Sequence, residues 1–204
     1  MRYKRAVGKL RILGETCERV KIFWSGTEPF LKAVYVFGEV LAGAGPLDAV
    51  QVAVAINLPP GEVPWESSPE GAGWLANELR LTTGGFMYFW RSHLDPIWNH
   101  CIRGPVQVWS AYGGPDRQAL AALEARDFGW LNRLVPEPAD ERLLLREDLD
   151  VALAHLREVR DRYRDPDWRR AHRGYGRYPE HELREAVDGF LGLVDASRSS
   201  KQDT

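Results

Sequence analysis

A glycine, a glutamate and an aspartate flank the turn between two apolar segments. They are Gly38, Glu39 and Asp48, in the stretch VYVFGEVLAGAGPLDAVQVAVAI at 34–56. A glycine at the end of a strand lets a phosphate approach backbone N–H groups closely. An aspartate that opens the next strand can hold a divalent metal ion over that phosphate. The spacing favours a phosphate-binding turn; the alternative is that Gly38 serves only the turn and Asp48 only caps the strand.

This frame resembles the nucleotidyltransferase superfamily, the fold shared by DNA polymerase β and the small bacterial nucleotidyltransferases. Members of that superfamily have a hydrophobic strand, Gly-Ser, a turn, and then Asp-x-Asp on the next strand. The later stretch FMYFWRSHLDPIWNHCIRGPVQVW at 86–109 follows the outline of their downstream strands. The resemblance covers residues 30–112, with a helical region after them, as is common in that superfamily.

The residues that would bind metal in such a fold are incomplete here. Glu39 replaces the serine, Val50 replaces the second aspartate, and FMYFW contains no carboxylate. Because each Mg²⁺ needs one or two carboxylates plus substrate phosphates, one aspartate cannot hold a metal pair. The resemblance therefore implies a degenerate member with no metal site, in which Mg²⁺ would bind only if Asp48 and Glu39 converge. We expect no other cofactor.

A second polar stretch, WRSHLDPIWNHCIRG, occupies positions 90–104. His93 follows an apolar segment and could act as a general base beside Asp95. The alternative is that Asp95 caps a short helix that begins at Pro96. Three further residues of this stretch could hold an anionic ligand: Arg91, His100 and Arg103.

Arginines alternate with aromatic residues in a third stretch, RYRDPDWRRAHRGYGRYPEH at 162–181. Arginine beside an aromatic ring suits phosphate contacts and base stacking. The alternative is an arginine–carboxylate network that ties the C-terminal helices to the rest of the chain. The candidate ligand-binding residues here are Trp168, Arg169, His172, Arg173 and Tyr178.

The apolar periodicity predicts the elements that must position these residues. Helices are expected at 3–23, 70–81, 96–103, 115–127, 138–163 and 179–194, and strands at 31–37, 50–58, 86–93 and 105–111. This order indicates an α/β (α+β) fold, with a nucleotidyltransferase-like mixed sheet, flanking helices and a helical C-terminal half. We expect an α/β domain at 1–112, a helical region at 113–196 and a disordered tail at 197–204.

Composition excludes several classes of protein. The 204 residues carry a net charge of -2, which gives no general attraction to nucleic acid or anionic membranes. Cys17 and Cys101 are expected to be buried and unpaired. The absence of a long uncharged apolar run predicts a cytoplasmic protein without a membrane partner. The sequence also lacks the glycine-rich, P-loop, nucleophile-elbow and His-Glu-x-x-His motifs.

These observations favour a non-catalytic regulator that binds a nucleotide, a nucleic-acid end or a protein partner between the Gly38 turn and the segment 162–178. One alternative is an enzyme in which Glu39, Asp48 and His93 converge and an arginine holds an anionic substrate. A second alternative is a plain protein-interaction domain without a pocket.

Overall fold

The computed structural model describes residues 1–22, 28–43, 45–69, 71–174 and 178–202. The strands are β1 (Leu31–Phe37), β2 (Val50–Ile56), β3 (Phe86–Ser92), β4 (Val106–Ser110) and β5 (Gly114–Pro115). The α-helices are α1 (Tyr3–Ile22), α2 (Ala72–Glu78), α3 (Arg117–Ala125), α4 (Pro138–Arg164), α5 (Pro166–Ala171) and α6 (Pro179–Gln202). Short 3₁₀ helices cover Gly38–Ala42, Pro60–Glu62 and Phe128–Trp130.

In the part of the chain that the structure describes, the five strands form one mixed sheet in the order β3-β2-β1-β4-β5. β1 runs antiparallel to both β2 and β4, whereas β2 and β3 are parallel. Phe37 is opposite Gln51, and Ile56 is opposite Ser92. The predicted mixed α/β class with a helical C-terminal half is therefore confirmed.

The sheet has an apolar core on each face. Alternate strand residues such as Val34, Val52 and Val54 pack against α1, α2 and α3. The other strand residues, including Ala53 and Ala55, pack against Leu145 of α4 and Leu193 of α6. The helical C-terminal region therefore covers one face of the sheet and shares a core with it.

The short helix predicted at 96–103 is wrong. This segment forms turns and bends, and it runs from the end of β3 to the start of β4. The Asn99 side chain replaces the missing helix turn by accepting hydrogen bonds from the backbone N–H groups of Cys101 and Ile102, at 2.9 and 2.8 Å. Asp95 therefore caps no helix.

The C-terminal boundaries also differ from the prediction. α5 was not expected, and it begins after Asp165, whose side chain accepts a hydrogen bond from the Asp167 N–H. The tail expected to be disordered at 197–204 is helical as far as Gln202, because α6 continues. The predicted end of α1 at residue 23 and the last two residues lie outside the described residues.

Two predicted interior positions are exposed. Trp74 of α2 is 46% exposed, although its neighbours Leu75 and Leu79 are buried. Cys101 is exposed, whereas Cys17 is buried as expected. Within the described residues, no helix is both long enough and apolar enough to cross a membrane.

α6 packs directly on the backbone of the loop that follows β2. A methyl group added at Gly189 would lie 2.3 Å from the carbonyl oxygen of Trp65, whereas one added at Gly192 would meet nothing within 4 Å. A Cβ atom at Gly189 would therefore push the helix away from the loop.

We expect Gly189→Ala to destabilise the protein by about 1–3 kcal/mol, the usual cost of overpacking. Gly192→Ala, on the same helix, should stabilise it by about 0.5–1 kcal/mol through the higher helix propensity of alanine. Urea unfolding of both variants measures the difference. Equal stability of the two variants would contradict the close packing at Gly189.

Candidate ligand-binding cleft

The Gly38 turn has a structural explanation. Gly38 has a φ of +73°, in the left-handed region that favours glycine. A Cβ atom there would lie 1.7 Å from the Gln51 side-chain oxygen, so both the turn and the packing of Gln51 require glycine at this position. Glu39 and Asp48 are exposed at the same end of the sheet. No group of three or more metal-ligating side chains occurs among the described residues.

The three predicted catalytic residues lie at opposite ends of the sheet. Gly38 follows β1 and Asp48 precedes β2, at the end where the antiparallel pair β1–β2 turns. His93 follows β3. Its backbone N–H donates a hydrogen bond of 3.0 Å to the carbonyl oxygen of Ile56, at the far end of β2. A seven-residue strand spans about 20 Å. His93 therefore does not converge with Glu39 and Asp48, and the enzyme that needs this convergence has no geometric basis.

Arg91 forms a buried ion pair. It is 2% exposed, and its guanidinium lies 3.4 Å from the Asp148 carboxylate of α4. It also donates to the Pro96 carbonyl at 3.1 Å. Arg91 was predicted to bind a ligand, but in the structure it ties β3 and the following segment to α4.

His100 and Arg103 lie in that same segment. The His100 ring makes an edge contact with Trp65, at 5.0 Å between centroids. Burial lowers the pKa of His100, so its imidazole is neutral at pH 7. Arg103 is exposed, 3.6 Å from Glu141, and donates to the His100 carbonyl. Neither residue borders the cleft described below.

The arginines of the third stretch are mostly paired with carboxylates. The Arg162 guanidinium lies 2.7 Å from Glu182, and Arg170 lies 3.0 Å from Asp167. Arg173 pairs with Glu180, and Arg169 lies 5.1 Å from the centre of the Tyr163 ring. These contacts favour the network alternative for the arginines. Tyr175 and Arg177 lie outside the described residues.

The aromatic residues of the same stretch border a cleft of about 620 Å³, a volume typical of small-molecule sites. Trp168, His172 and Tyr178 form one side of it. Glu62, Ser67 and Ser68, from the loop after β2, form another. Two helices contribute further polar residues to the lining: His155, Glu158 and Arg162 from α4, and His181, Glu182 and Glu185 from α6.

Trp65 fixes the loop side of this cleft. Its ring is buried and stacks on Phe89 of β3, with centroids 4.8 Å apart and an angle of 4° between the planes. Ser67 then closes a turn by donating from its hydroxyl to the Pro64 carbonyl at 2.7 Å. This anchor holds the backbone that carries Ser67 and Ser68 against the sheet.

The ends of α4 and α6 fix the opposite side. The Arg162–Glu182 pair joins the C-terminal part of α4 to the first turns of α6. Trp168 stacks on His172 with centroids 4.4 Å apart, and the Arg162 guanidinium lies 5.5 Å from the Trp168 ring. Arg162 thus connects α4, α5 and α6 at the border of the cleft.

The charges of the described lining are predominantly acidic. It contains four carboxylates and one guanidinium, that of Arg162. Burial raises the pKa of Glu185, whose carboxylate is hydrogen-bonded by the Ser68 side chain. Burial, with the nearby charge of Arg162, lowers the pKa of His155, so this imidazole is neutral at pH 7.

Only part of this lining was predicted from the sequence. The prediction included Trp168, His172 and Tyr178, but not the carboxylates or His155. The missed residues carry one local signal: His155, Glu158 and Arg162 are spaced three and four residues apart and so share one face of α4. That polar row runs beside the apolar stripe of the helix, which continues through the buried Val159.

A family model described as a domain of unknown function (DUF7711) matches residues 1–199. The chain belongs to that family. The match spans both the sheet and the helices that border the cleft. Searches of curated proteins and of solved structures found no match.

Removing one partner of the buried pair should be costly. We expect Asp148→Asn to destabilise the protein by about 3 kcal/mol or more, because it removes the carboxylate that forms a salt bridge with the buried Arg91. The matched control is Asp150→Asn, an exposed position on the same helix, which should change stability by less than about 0.5 kcal/mol. Chemical denaturation of both variants is the measurement, and similar losses in the two would contradict a structural role for the pair.

The half-buried carboxylate of Glu185 should reduce stability at neutral pH. Because its pKa is raised in the folded state, folding favours the protonated form, and this contribution is lost as the pH rises through that pKa. Glu185→Gln should therefore raise the melting temperature at pH 7.5 by a few degrees or less, and the difference should disappear near pH 4, below the usual pKa of glutamate. A gain of equal size at both pH values would contradict this assignment.

Proposed function

We propose that this protein binds a small molecule in the cleft between the loop after β2 and the helices α4, α5 and α6, and that binding, not catalysis, is its function. The observation that carries the proposal is the cleft itself. Segments that are far apart in the sequence contribute polar and aromatic side chains to one cleft of about 620 Å³. Sites for small ligands commonly combine apolar surface with a few placed polar groups.

The local packing supports a cleft that is formed before the ligand arrives. Trp65 holds the loop on the sheet, Gly189 allows α6 to contact that loop, and Arg162 joins the helices on the other side. A preformed site loses less conformational entropy on binding than a site that must be ordered. These contacts favour a binding protein over an interaction domain without a pocket.

The position of the site differs from the sequence prediction. The described lining of the cleft beside the segment 162–178 contains neither Gly38 nor Asp48, so the site proposed here does not include the Gly38 turn. The nucleotide or nucleic-acid end expected as a partner would also place phosphates among four carboxylates. We therefore propose a ligand without a phosphate group.

We also retain the kinship with the nucleotidyltransferase superfamily as a proposal about ancestry. Its support is the antiparallel pairing of β1 and β2, which brings Gly38 and Asp48 to one end of the sheet as that fold requires. The exposed Glu39 and the apolar Val50 stand where that superfamily has its serine and second aspartate. Under this proposal the usual nucleotidyl transfer is absent, and the cleft carries the function.

Ligand binding can be tested with Trp168→Ala. A panel of 2-phenylethylamine, indole, adenosine and adenosine monophosphate would be titrated by NMR against the wild type and the variant. We expect at least one compound without phosphate to bind, and Trp168→Ala to weaken it about tenfold by removing a ring worth 1 kcal/mol or more.

Trp130→Ala is the matched control, because Trp130 is 69% exposed and does not border the cleft. It should leave every affinity unchanged. The proposal fails if no compound of the panel binds, or if binding is insensitive to Trp168→Ala. Tighter binding of adenosine monophosphate than of adenosine would instead favour the nucleotide expected from the sequence.

A further inference from the structure

The carboxylates of the cleft exceed the cations available to neutralise them. The one guanidinium of the described lining, Arg162, is already 2.7 Å from Glu182 and 3.8 Å from Glu158. Glu62 and Glu185 form no salt bridge with any described residue. The cleft therefore keeps a negative charge at neutral pH, and its partly enclosed shape concentrates the resulting field.

Glu185 is the carboxylate of the cleft that would be stabilised most by a bound cation. It is half-buried, and the neutral Ser68 side chain hydrogen-bonds to it. The titratable and charged groups near it are Arg184, His181 and Glu182 of its own helix and the Tyr88 hydroxyl of β3. A carboxylate held in this way costs stability unless a cation joins it.

The rings of the cleft suit an organic cation. Tyr178 is 47% exposed and makes an edge contact with His181, at 5.2 Å between centroids. An ammonium group is attracted to the face of such a ring and can donate hydrogen bonds to carboxylates at the same time. Trp168 and His172 add further aromatic surface on the same side.

The spread of the carboxylates argues against a bare metal ion. Glu62 lies on the loop after β2, Glu158 on α4, and Glu185 on α6. No cluster of three or more ligands for a metal ion occurs among the described residues. An extended molecule with an ammonium group can reach carboxylates that are too far apart to coordinate one ion.

From these contacts we propose that the cleft selects small organic amines in their protonated, cationic form, with the ammonium group at Glu185 and the apolar part against the rings of Trp168 and Tyr178. This inference rests on the proposed function and names its ligand class. It also agrees with the proposal that the ligand has no phosphate group.

Three compounds with one ring and one chain test the inference. They are 2-phenylethylamine, 2-phenylethanol and 3-phenylpropionate, which are cationic, neutral and anionic at pH 7.5. Calorimetric titration at fixed ionic strength should show the amine binding at least about tenfold more tightly than the alcohol, as expected for a charge-assisted hydrogen bond. The anion should not bind measurably.

Glu185→Gln separates the charge from the shape of the site. It should reduce the preference for the amine over the alcohol to about threefold or less, while the affinity for the alcohol stays unchanged. The control is Glu15→Gln, an exposed carboxylate on α1, against the opposite face of the sheet, which should leave the preference intact. Circular dichroism and melting temperature would confirm that both variants fold.

The possible failures are distinguishable. If the alcohol or the anion binds as tightly as the amine, or if Glu185→Gln keeps the full preference, the inference about cations is wrong. The proposed function still stands in that case, provided that binding depends on Trp168. If none of these three compounds and no compound of the earlier panel binds, or if Trp168→Ala has no effect on binding, both the inference and the proposed function fail.

Discussion

The burial of Trp65 between the sheet and the last helix is the contact on which the candidate site depends. Its ring stacks on Phe89 and meets the edge of His100, while its carbonyl oxygen lies where Gly189 leaves room for it. A large aromatic side chain contributes several kcal/mol by burial alone. One residue therefore holds three elements together: the loop after β2, the segment after β3, and α6. The cleft is bordered by the loop that this contact fixes.

The sequence predicted the strands well because their signal is local. β1 was expected at 31–37 and occupies those residues, since a strand covered on both faces is apolar at nearly every position, in this case at all but Lys32. The segment after β3 was wrong for the opposite reason. Its Asp-Pro start and its glycine are typical of helix ends, but Ile97 and Ile102 are buried in the core beneath α4. Contacts that are distant in sequence override such local preferences.

At the site, too, contacts that are distant in sequence decided what could be predicted. Residue type alone suggested that Arg91 and the arginines at 162–173 were free to bind anions. Whether a guanidinium is free depends on its partners, and Asp148 is 57 residues from Arg91 along the chain. Arg91, Arg162 and Arg173 are each paired with a carboxylate. The described lining of the cleft has four carboxylates and one guanidinium, so its charge is negative rather than positive. The aromatic residues Trp168, His172 and Tyr178 do border the cleft, and their contact with a ligand stays a prediction.

Glu39 and Asp48 differ from Glu185 in how well water solvates their charges. Glu39 and Asp48 are exposed, so water solvates their charges at no cost to folding. Glu185 is half-buried and its pKa is raised, which means that the folded protein is less stable with this carboxylate ionised. A glutamine there would keep the hydrogen bond to Ser68 without that cost. A fold that retains the charge in a cleft gives up stability at that position, as functional sites commonly do, and this supports the proposal that Glu185 contacts the ligand.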